Sequence, residues 1–179
     1  MRIIGGIYKS RILKEFAGDE VRPTSDRARE ALFNILSFKM QGARVLDLFA
    51  GSGALGIESL SRGAKEVVFN DVSKQSVALI KSNLATLKIS LGATVVNYDF
   101  SACLSVVQGP FDFIFIDPPY RFDYGKTAME SIVKNNLLAE NGVIVYERDR
   151  AFDGEVDGLE KYDERRYGKA FFTFFRQKI

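Results

Sequence analysis

Two short stretches of the chain hold the residues that could bind a ligand and do chemistry. The first, Gly51-Ser52-Gly53-Ala54-Leu55-Gly56, follows an apolar run at 45–49 and precedes a helix-like pattern. Its glycines let a ligand lie against the backbone, and the N–H groups at the start of the helix favour polar or negative atoms. This loop predicts a site for an adenosine-bearing ligand.

The second stretch, Asp117-Pro118-Pro119-Tyr120, follows the apolar run at 111–116 and suits a planar group with an exocyclic amine. The two prolines fix the chain direction and lack N–H donors, so the backbone presents carbonyl acceptors. We expect the ring of Tyr120 to stack on a base while Asp117 and the Pro118 carbonyl accept the amine hydrogens. A flipped or single-stranded base presents such an edge.

Acidic residues interrupt or follow the apolar runs near the glycine loop. Asp71 lies twenty positions after Gly51, where it can accept hydrogen bonds from ribose hydroxyls. Asp99 ends a later run, where it can reach an adenine amino group. The glycine spacing and Asp71 also fit an oxidoreductase that uses a nicotinamide cofactor. Asp47, however, stands inside the first run, where a dinucleotide-binding strand is normally apolar.

The elements that must position these residues alternate between strands and helices. Apolar runs predict strands at 45–49, 67–71, 94–98, 111–116 and 142–146, and an antiparallel pair at 162–167 and 170–175. Helical spacing or capping residues predict helices at 54–61, after Ser73, at 102–107 and around 128–133. This order is typical of an α/β fold with a mostly parallel seven-stranded sheet, an antiparallel C-terminal hairpin and helices on both faces.

The N-terminal residues predict a basic arm at 1–22, followed by a second unit at 23–179. Residues 1–14 contain four basic and no acidic side chains, and their isoleucines could form one or two short strands. A helix is predicted to begin near Thr24, with a solvated face that includes Arg27 and Arg29. Basic arms commonly contact phosphate backbones. We therefore predict that Arg11, Arg22, Arg27 and Arg29 contact the phosphate backbone of a nucleic acid.

Composition narrows the class of protein further. The 179 residues include one cysteine and no histidine, so neither an internal disulfide nor a Cys/His zinc site can form, and we expect no metal. The start of the chain lacks a signal-peptide pattern, and no apolar run is long enough to cross a membrane. The net charge of +2 is only mildly basic. A cytoplasmic enzyme or binding protein is the expected class.

These motifs together resemble a known family. Asp117-Pro118-Pro119-Tyr120 and residues 49–53 are similar to the S-adenosylmethionine-dependent methyltransferases that modify exocyclic amines of bases. Residues 22–36, the start at 2–6 and Tyr167-Gly168-Lys169 narrow the resemblance to the RsmD family. That family methylates the guanine N2 amine in bacterial small-subunit ribosomal RNA, and the resemblance implies a Rossmann-like class I methyltransferase fold.

The resemblance also implies roles for individual residues. The cofactor S-adenosylmethionine would be held by Asp47, Phe49, Ala50, Gly51, Ser52, Gly53, Asp71, Asp99 and Phe100. The guanine would be held by Asp117, Pro118, Pro119 and Tyr120. Thr24 and Arg27 would close over the cofactor or the RNA. The expected partner is small-subunit ribosomal RNA, naked or within a partly assembled subunit, and the expected state is a monomer.

Three other functions stay open at this point. A nicotinamide-dependent oxidoreductase explains the glycine loop but leaves Asp117-Pro118-Pro119-Tyr120 without a role. A binding protein, such as an RNA-binding or assembly factor, would need neither motif intact. An amino-methyltransferase acting on adenine or cytosine in DNA or RNA would share both motifs, since Asp117-Pro118-Pro119-Tyr120 alone does not select guanine.

Overall fold

Apolar side chains on both faces of the central strands explain why helices cover this sheet on two sides. A computed structural model describes residues 1–17, 24–119 and 122–179. The strands are β1 (Arg44–Asp47), β2 (Glu66–Asn70), β3 (Ala93–Val96), β4 (Phe111–Ile116), β5 (Leu138–Arg148), β6 (Leu159–Tyr167) and β7 (Ala170–Gln177). The helices are α1 (Asp26–Met40), α2 (Ala54–Ser61), α3 (Lys74–Thr86), α4 (Phe100–Val106) and α5 (Tyr124–Lys134).

The seven strands form one sheet in the order β3-β2-β1-β4-β5-β7-β6. The first five in this order are parallel, whereas β7 runs antiparallel to both β5 and β6. The predicted α/β class, the mostly parallel sheet and the antiparallel C-terminal hairpin are therefore confirmed.

Each face of the sheet has its own apolar core, because successive side chains of a strand point to opposite faces. Val45, Phe69 and Phe113 pack in one core together with buried residues of α1, α2 and α3. Leu46 and Ile114 pack in the other core with buried residues of α4 and α5. The central strands are thus buried on both sides, which accounts for their nearly continuous apolar sequence.

The strand and helix positions follow the predictions closely, with informative differences. The predicted bounds 111–116 and 54–61 match β4 and α2. Strand β5, however, begins at Leu138 rather than at 142, since Leu138 pairs with Phe111 before an irregularity in the register. Polar residues separate Leu138 from the predicted run at 142–146, so the apolar pattern of the sequence did not indicate that this strand begins earlier.

The N-terminal arm lies against the domain as a short hairpin. The strands expected there reduce to an isolated antiparallel bridge between Arg2 and Ile12. Ile3 and Leu13 are buried in the same core as α1. The Glu58 carboxylate of α2 accepts hydrogen bonds from the N–H groups of Ile4 and Gly5 at 2.9 and 2.8 Å. The proposed unit boundary at residue 22 lies outside the described residues and stays a prediction.

Candidate active site

The glycine loop and the Asp117 segment leave the same edge of the sheet. Strands β1 and β4 are parallel neighbours, with Asp47 opposite Phe115. The Leu48 N–H continues this pairing and donates to the Phe115 carbonyl at 3.1 Å. The strand order reverses here, since β1 is flanked by β2 on one side and by β4 on the other. Open α/β sheets bind their ligands at this kind of switch point.

The glycine loop leaves room for a ligand directly in front of its backbone. Gly51 and Gly53 adopt positive φ angles of 56° and 82°, a conformation that strongly favours glycine. A Cβ placed on Gly51 would meet no atom within 4 Å among the residues described, so its surface is open. By contrast, a Cβ on Gly56 would lie 2.2 Å from Cε1 of Phe69. Gly56 therefore permits close packing of α2 on β2.

Two carboxylates accept hydrogen bonds from the backbone N–H groups of this loop. Asp47 is 1% exposed, and its Oδ2 accepts a hydrogen bond from the Gly56 N–H at 3.0 Å. Burial raises the pKa of Asp47 to about 7, and the nearby Asp71 carboxylate adds to this rise, while the Gly56 N–H opposes it. Asp71 accepts from Gly51 N–H at 2.9 Å and from Ser73 N–H at 2.8 Å. Each of its oxygens keeps a second lone pair for a ligand donor.

The residues predicted to meet an adenine lie after β3. Asp99 caps α4, because its Oδ1 accepts hydrogen bonds from the N–H groups of Ser101 and Ala102, both at 3.0 Å. The Phe100 ring lies 5.6 Å from the Phe49 ring. The structure thus brings Phe49, of the glycine loop, close to Phe100 of α4, and the adenine contact of these residues stays a prediction.

Aromatic rings continue from Phe100 toward the Asp117 segment. The Phe100 and Tyr124 ring centroids are 5.0 Å apart, and the Tyr124 and Phe122 rings stack at 4.9 Å. Phe122 is 52% exposed. Sequence reasoning missed Phe122 and Tyr124, since neither belongs to a motif, although their position just after Asp117-Pro118-Pro119-Tyr120 could have drawn attention.

The Asp117 segment presents its polar groups at this edge. Asp117 is partly exposed, Pro118 is buried and Pro119 is exposed. The Pro119 carbonyl accepts a hydrogen bond from the Phe122 N–H at 3.2 Å. Tyr120 lies outside the described residues, so its expected stacking role stays a prediction. Asp117 is therefore not fully buried, and it follows β4, the strand that neighbours β1 and the glycine loop.

A further carboxylate, Glu147, stands beside Asp117. Ile116 pairs with Tyr146 in the parallel register of β4 and β5, so the next residues, Asp117 and Glu147, continue side by side on one face. Glu147 is 4% exposed and accepts a hydrogen bond from the Thr24 hydroxyl at 2.7 Å. Burial raises the pKa of Asp117 well above its ordinary value, and the Glu147 and Asp47 carboxylates add to the rise.

The arginines predicted to contact RNA fall into different environments. Arg11 and Arg27 are exposed, whereas Arg22 lies outside the described residues. The prediction for Arg29 is wrong, because its side chain is fully buried. Its Nη2 atom donates to Asp26 Oδ1 and to the Arg2 carbonyl, both at 2.6 Å. Arg29 therefore holds the arm against α1 instead of facing a phosphate backbone.

Asn83 is another residue that the sequence did not single out. Its side-chain amide donates to the carbonyls of Ser52 and Lys14, both at 3.1 Å, and its oxygen accepts from the Lys14 N–H at 2.8 Å. A helical asparagine thus ties the glycine loop to the end of the arm. Nothing in a single sequence indicates this contact, because its partners lie 31 and 69 positions away.

The charge of the site favours a cationic ligand. Asp47, Asp71, Asp117 and Glu147 all lie at this edge, and their mutual repulsion contributes to the raised pKa values of Asp47 and Asp117. Within residues 1–17, 24–119 and 122–179, no cluster of His, Cys, Asp and Glu has the grouping of a metal site. Across the same ranges, none of the helices has the length and apolarity needed to cross a membrane.

Comparisons with known proteins place the chain among methyltransferases. The family model described as conserved hypothetical protein 95 matches residues 1–176. Ribosomal RNA small subunit methyltransferase D of Haemophilus influenzae is 39% identical over 153 residues, which cover 84% of this chain and 79% of that protein. The solved structure of yhhF from Escherichia coli superposes with a TM-score of 0.89 at 33% identity, covering 99% of this chain and 98% of that one.

A more distant structure extends the likeness of the fold. The methyltransferase PaMTH1 of Podospora anserina, solved with S-adenosylhomocysteine bound, superposes with a TM-score of 0.72 at 14% identity. The match covers 88% of this chain and 80% of that one. The fold is therefore the Rossmann-like class I methyltransferase fold.

Proposed function

The chain belongs to the RsmD family, and from this premise we propose that it methylates the N2 amine of a guanine in bacterial small-subunit ribosomal RNA. S-adenosylmethionine is the methyl donor. The observation that carries the proposal is the meeting of the open glycine loop and the Asp117 segment at adjacent strand ends. A donor on the loop and a base on the segment would lie within reach of each other.

The residues of the loop fit the proposed cofactor better than they fit a dinucleotide. S-adenosylmethionine has a net positive charge, because its sulfonium and ammonium groups outweigh its one carboxylate, and this charge complements the carboxylates of Asp47, Asp71 and Asp117. The pyrophosphate of a nicotinamide cofactor would instead be repelled by the same carboxylates. Asp71 and the Phe49–Phe100 pair would hold the adenosine, while Asp47 and residues 50–53 would hold the methionine part.

Bound S-adenosylmethionine supplies an electrophilic methyl group that needs no metal. The residues of this chain then act on the base. The Asp117 carboxylate and the Pro118 carbonyl accept the two amine hydrogens, which favours a tetrahedral nitrogen whose lone pair points at the donor. Most of the acceleration comes from positioning and electrostatics. The proton released by the nitrogen after transfer goes to Asp117 or to water.

Contacts to the RNA backbone belong to exposed basic residues near this edge. Arg11 on the arm and Arg27 on α1 have exposed side chains that suit phosphate contacts. Arg22 and Tyr120 complete the proposed contacts, to the backbone and to the base respectively. Phosphate contacts orient the RNA without reading its sequence. The choice of nucleotide must therefore come from the pocket itself or from the shape of the RNA.

The decisive test combines a map of methylation with a variant of the proposed catalytic residue. Ribosomal RNA from cells with and without the protein is digested and compared by mass spectrometry, and one N2-methylguanosine should disappear with the protein. Asp117→Ala should keep affinity for S-adenosylhomocysteine in calorimetry, yet lower turnover by orders of magnitude. Asp153→Ala, at an exposed position of the chain, serves as the control.

Each alternative function predicts a different outcome of these measurements. Near-normal methylation by Asp117→Ala would reject the assigned role of that residue. Tight binding of NAD without binding of S-adenosylhomocysteine would favour an oxidoreductase. Loss of a methyladenine or methylcytosine from the map, with guanine unchanged, would favour another amino-methyltransferase. RNA binding without any transfer of labelled methyl would favour an assembly factor.

A further inference from the structure

A small cleft opens between the Asp117 segment and the end of β5. Pro118 and Phe122 line one side, and Glu147 and Arg148 line the other, with Arg150 at the rim. Phe122 offers an exposed aromatic ring to this cleft. The Arg148 guanidinium lies 5.4 Å from the Tyr146 ring centroid. This contact keeps the positive charge of Arg148 beside the cleft. The cleft, with a volume of about 10 Å³, thus brings together an aromatic ring, a carboxylate and basic groups, which are kinds of group that contact nucleotides.

Glu147, which lines this cleft, and Asp117, which precedes the lining residue Pro118, occupy equivalent places along neighbouring strands. Parallel strands lie about 4.8 Å apart, and the register places Asp117 and Glu147 side by side on the same face. If Asp117 accepts from an exocyclic amine, Glu147 would lie beside one of the two ring positions that flank that amine. The described groups near Glu147 include Asp117 after β4, Thr24 before α1, and Arg148 and Asp123 at the cleft.

The ring atom beside the amine differs between the three bases that carry one. In guanine the N2 amine lies between the N1–H group, which is a donor, and N3, which is an acceptor. In adenine the N6 amine is next to N1 and N7, which are acceptors, and in cytosine the N4 amine lies between the N3 acceptor and an apolar C5–H group. A carboxylate accepts hydrogen bonds and cannot donate them when ionised. A second acceptor beside Asp117 therefore pairs with a ring N–H donor only in guanine, bound with its N1–H toward that acceptor.

We infer that Glu147 is a specificity-determining residue, which accepts the N1–H of the target guanine while Asp117 accepts its N2 amine. This inference rests on the proposed function and deepens it, since it names the group that selects the base. The hydrogen bond from Thr24 is compatible with this role, because a carboxylate has about four acceptor positions. The basic side chains of Arg148 and Arg150 would face the phosphates of the same nucleotide.

The wild-type protein alone provides a first test. Synthetic RNA spanning the mapped nucleotide, assembled into the small subunit if naked RNA is inactive, carries either guanosine or 2-aminopurine at that position. 2-Aminopurine keeps the amine but has an acceptor at N1. Wild-type protein should prefer guanosine by at least about 100-fold in kcat/KM, because the analogue places two acceptors face to face. Comparable turnover of both substrates would overturn the inference.

The variant Glu147→Gln then tests the residue itself. A glutamine can donate its amide hydrogens to an N1 acceptor, and its oxygen can still accept from Thr24. We expect kcat/KM for guanosine to fall about tenfold and that for 2-aminopurine to rise, so the preference shrinks by about 100-fold. Glu140→Gln, at an exposed site of the same strand, should leave the preference unchanged.

A purely structural role for Glu147 is separated by the variant Thr24→Val. This substitution removes the hydroxyl that donates to Glu147 but leaves the carboxylate. If Glu147 served only to hold Thr24, both variants would slow the two substrates alike, and the inference would be rejected. A shift of preference in Glu147→Gln alone supports it. Absence of any methyl transfer to guanosine by the wild type would instead refute the proposed function.

Discussion

At the level of single residues, burial governs the protonation of the carboxyl groups around the glycine loop. Asp47 is nearly inaccessible, and a single N–H group from Gly56 does not replace the water that it loses. Its pKa therefore rises from 3.8 to about 7. A cationic ligand beside Asp47 would favour the ionised form again. The ionised Asp47 carboxylate therefore destabilises the folded protein without cofactor and would stabilise the complex with a cationic cofactor.

The substitution Asp47→Asn should remove this cost without removing the acceptor for Gly56. Because the pKa is raised on folding, the folded state holds the proton more tightly, and stability falls as the pH rises from 3.8 to about 7. In the absence of cofactor, the variant should gain stability over the wild type across this range, by up to about 4 kcal/mol. Urea denaturation at several pH values measures the difference.

A gain that does not depend on pH would contradict this explanation. It would mean that the asparagine stabilises through packing or hydrogen bonding and not through the loss of a buried ionisable group. The same variant should bind S-adenosylhomocysteine less tightly, since the role assigned to Asp47 toward the methionine part would be weakened.

At the level of elements, the start of α2 shows how glycines in one motif serve different purposes. Gly51 has its open face toward the proposed cofactor, whereas Gly56 faces the Phe69 ring on β2. The first position decides whether a ligand can approach. The second decides how closely the helix packs on the sheet, and so how firmly the loop is held.

Alanine at these two positions should therefore separate binding from stability. Gly56→Ala brings Cβ to 2.2 Å from Phe69, so we expect a loss of about 1–3 kcal/mol in unfolding free energy. Gly51→Ala meets no atom of the described residues within 4 Å but must keep a φ of 56°, which costs about 1–2 kcal/mol. Calorimetry with S-adenosylhomocysteine should show a large loss of affinity for Gly51→Ala.

Gly168→Ala is a matched control for backbone strain. Gly168 has a φ of 62°, and a Cβ there likewise meets no atom within 4 Å in the described part of the chain, but it lies in the turn between β6 and β7. It should lose about as much stability as Gly51→Ala and keep full affinity. Equal losses of affinity in both variants would show that strain, and not contact with the cofactor, explains the effect at Gly51.

At the level of the whole molecule, the sequence predicts what depends on local pattern. The alternation of strands and helices was enough for the sheet and its hairpin, and the two motifs mark the strand ends that meet. The contacts of Arg29 and Glu147 were not predicted, because their partners lie far away in the sequence. Glu58 of α2 and the Arg2 carbonyl surround Arg29, and the register of β4 and β5 places Glu147 beside Asp117.

The arm makes a prediction about how the whole protein meets RNA. Arg11 is exposed on a hairpin whose end, at Lys14, is bonded to Asn83 beside the glycine loop. A phosphate contact there releases counterions, so Arg11→Glu should weaken binding to ribosomal RNA and lower the slope of log K against log salt by about 1. Fluorescence anisotropy at several salt concentrations measures both quantities.

Lys134→Glu, at the far end of α5, removes the same two units from the net charge of +2 and should leave the slope nearly unchanged. Equal effects of the two variants would show that net charge, and not a contact of the arm, attracts the RNA.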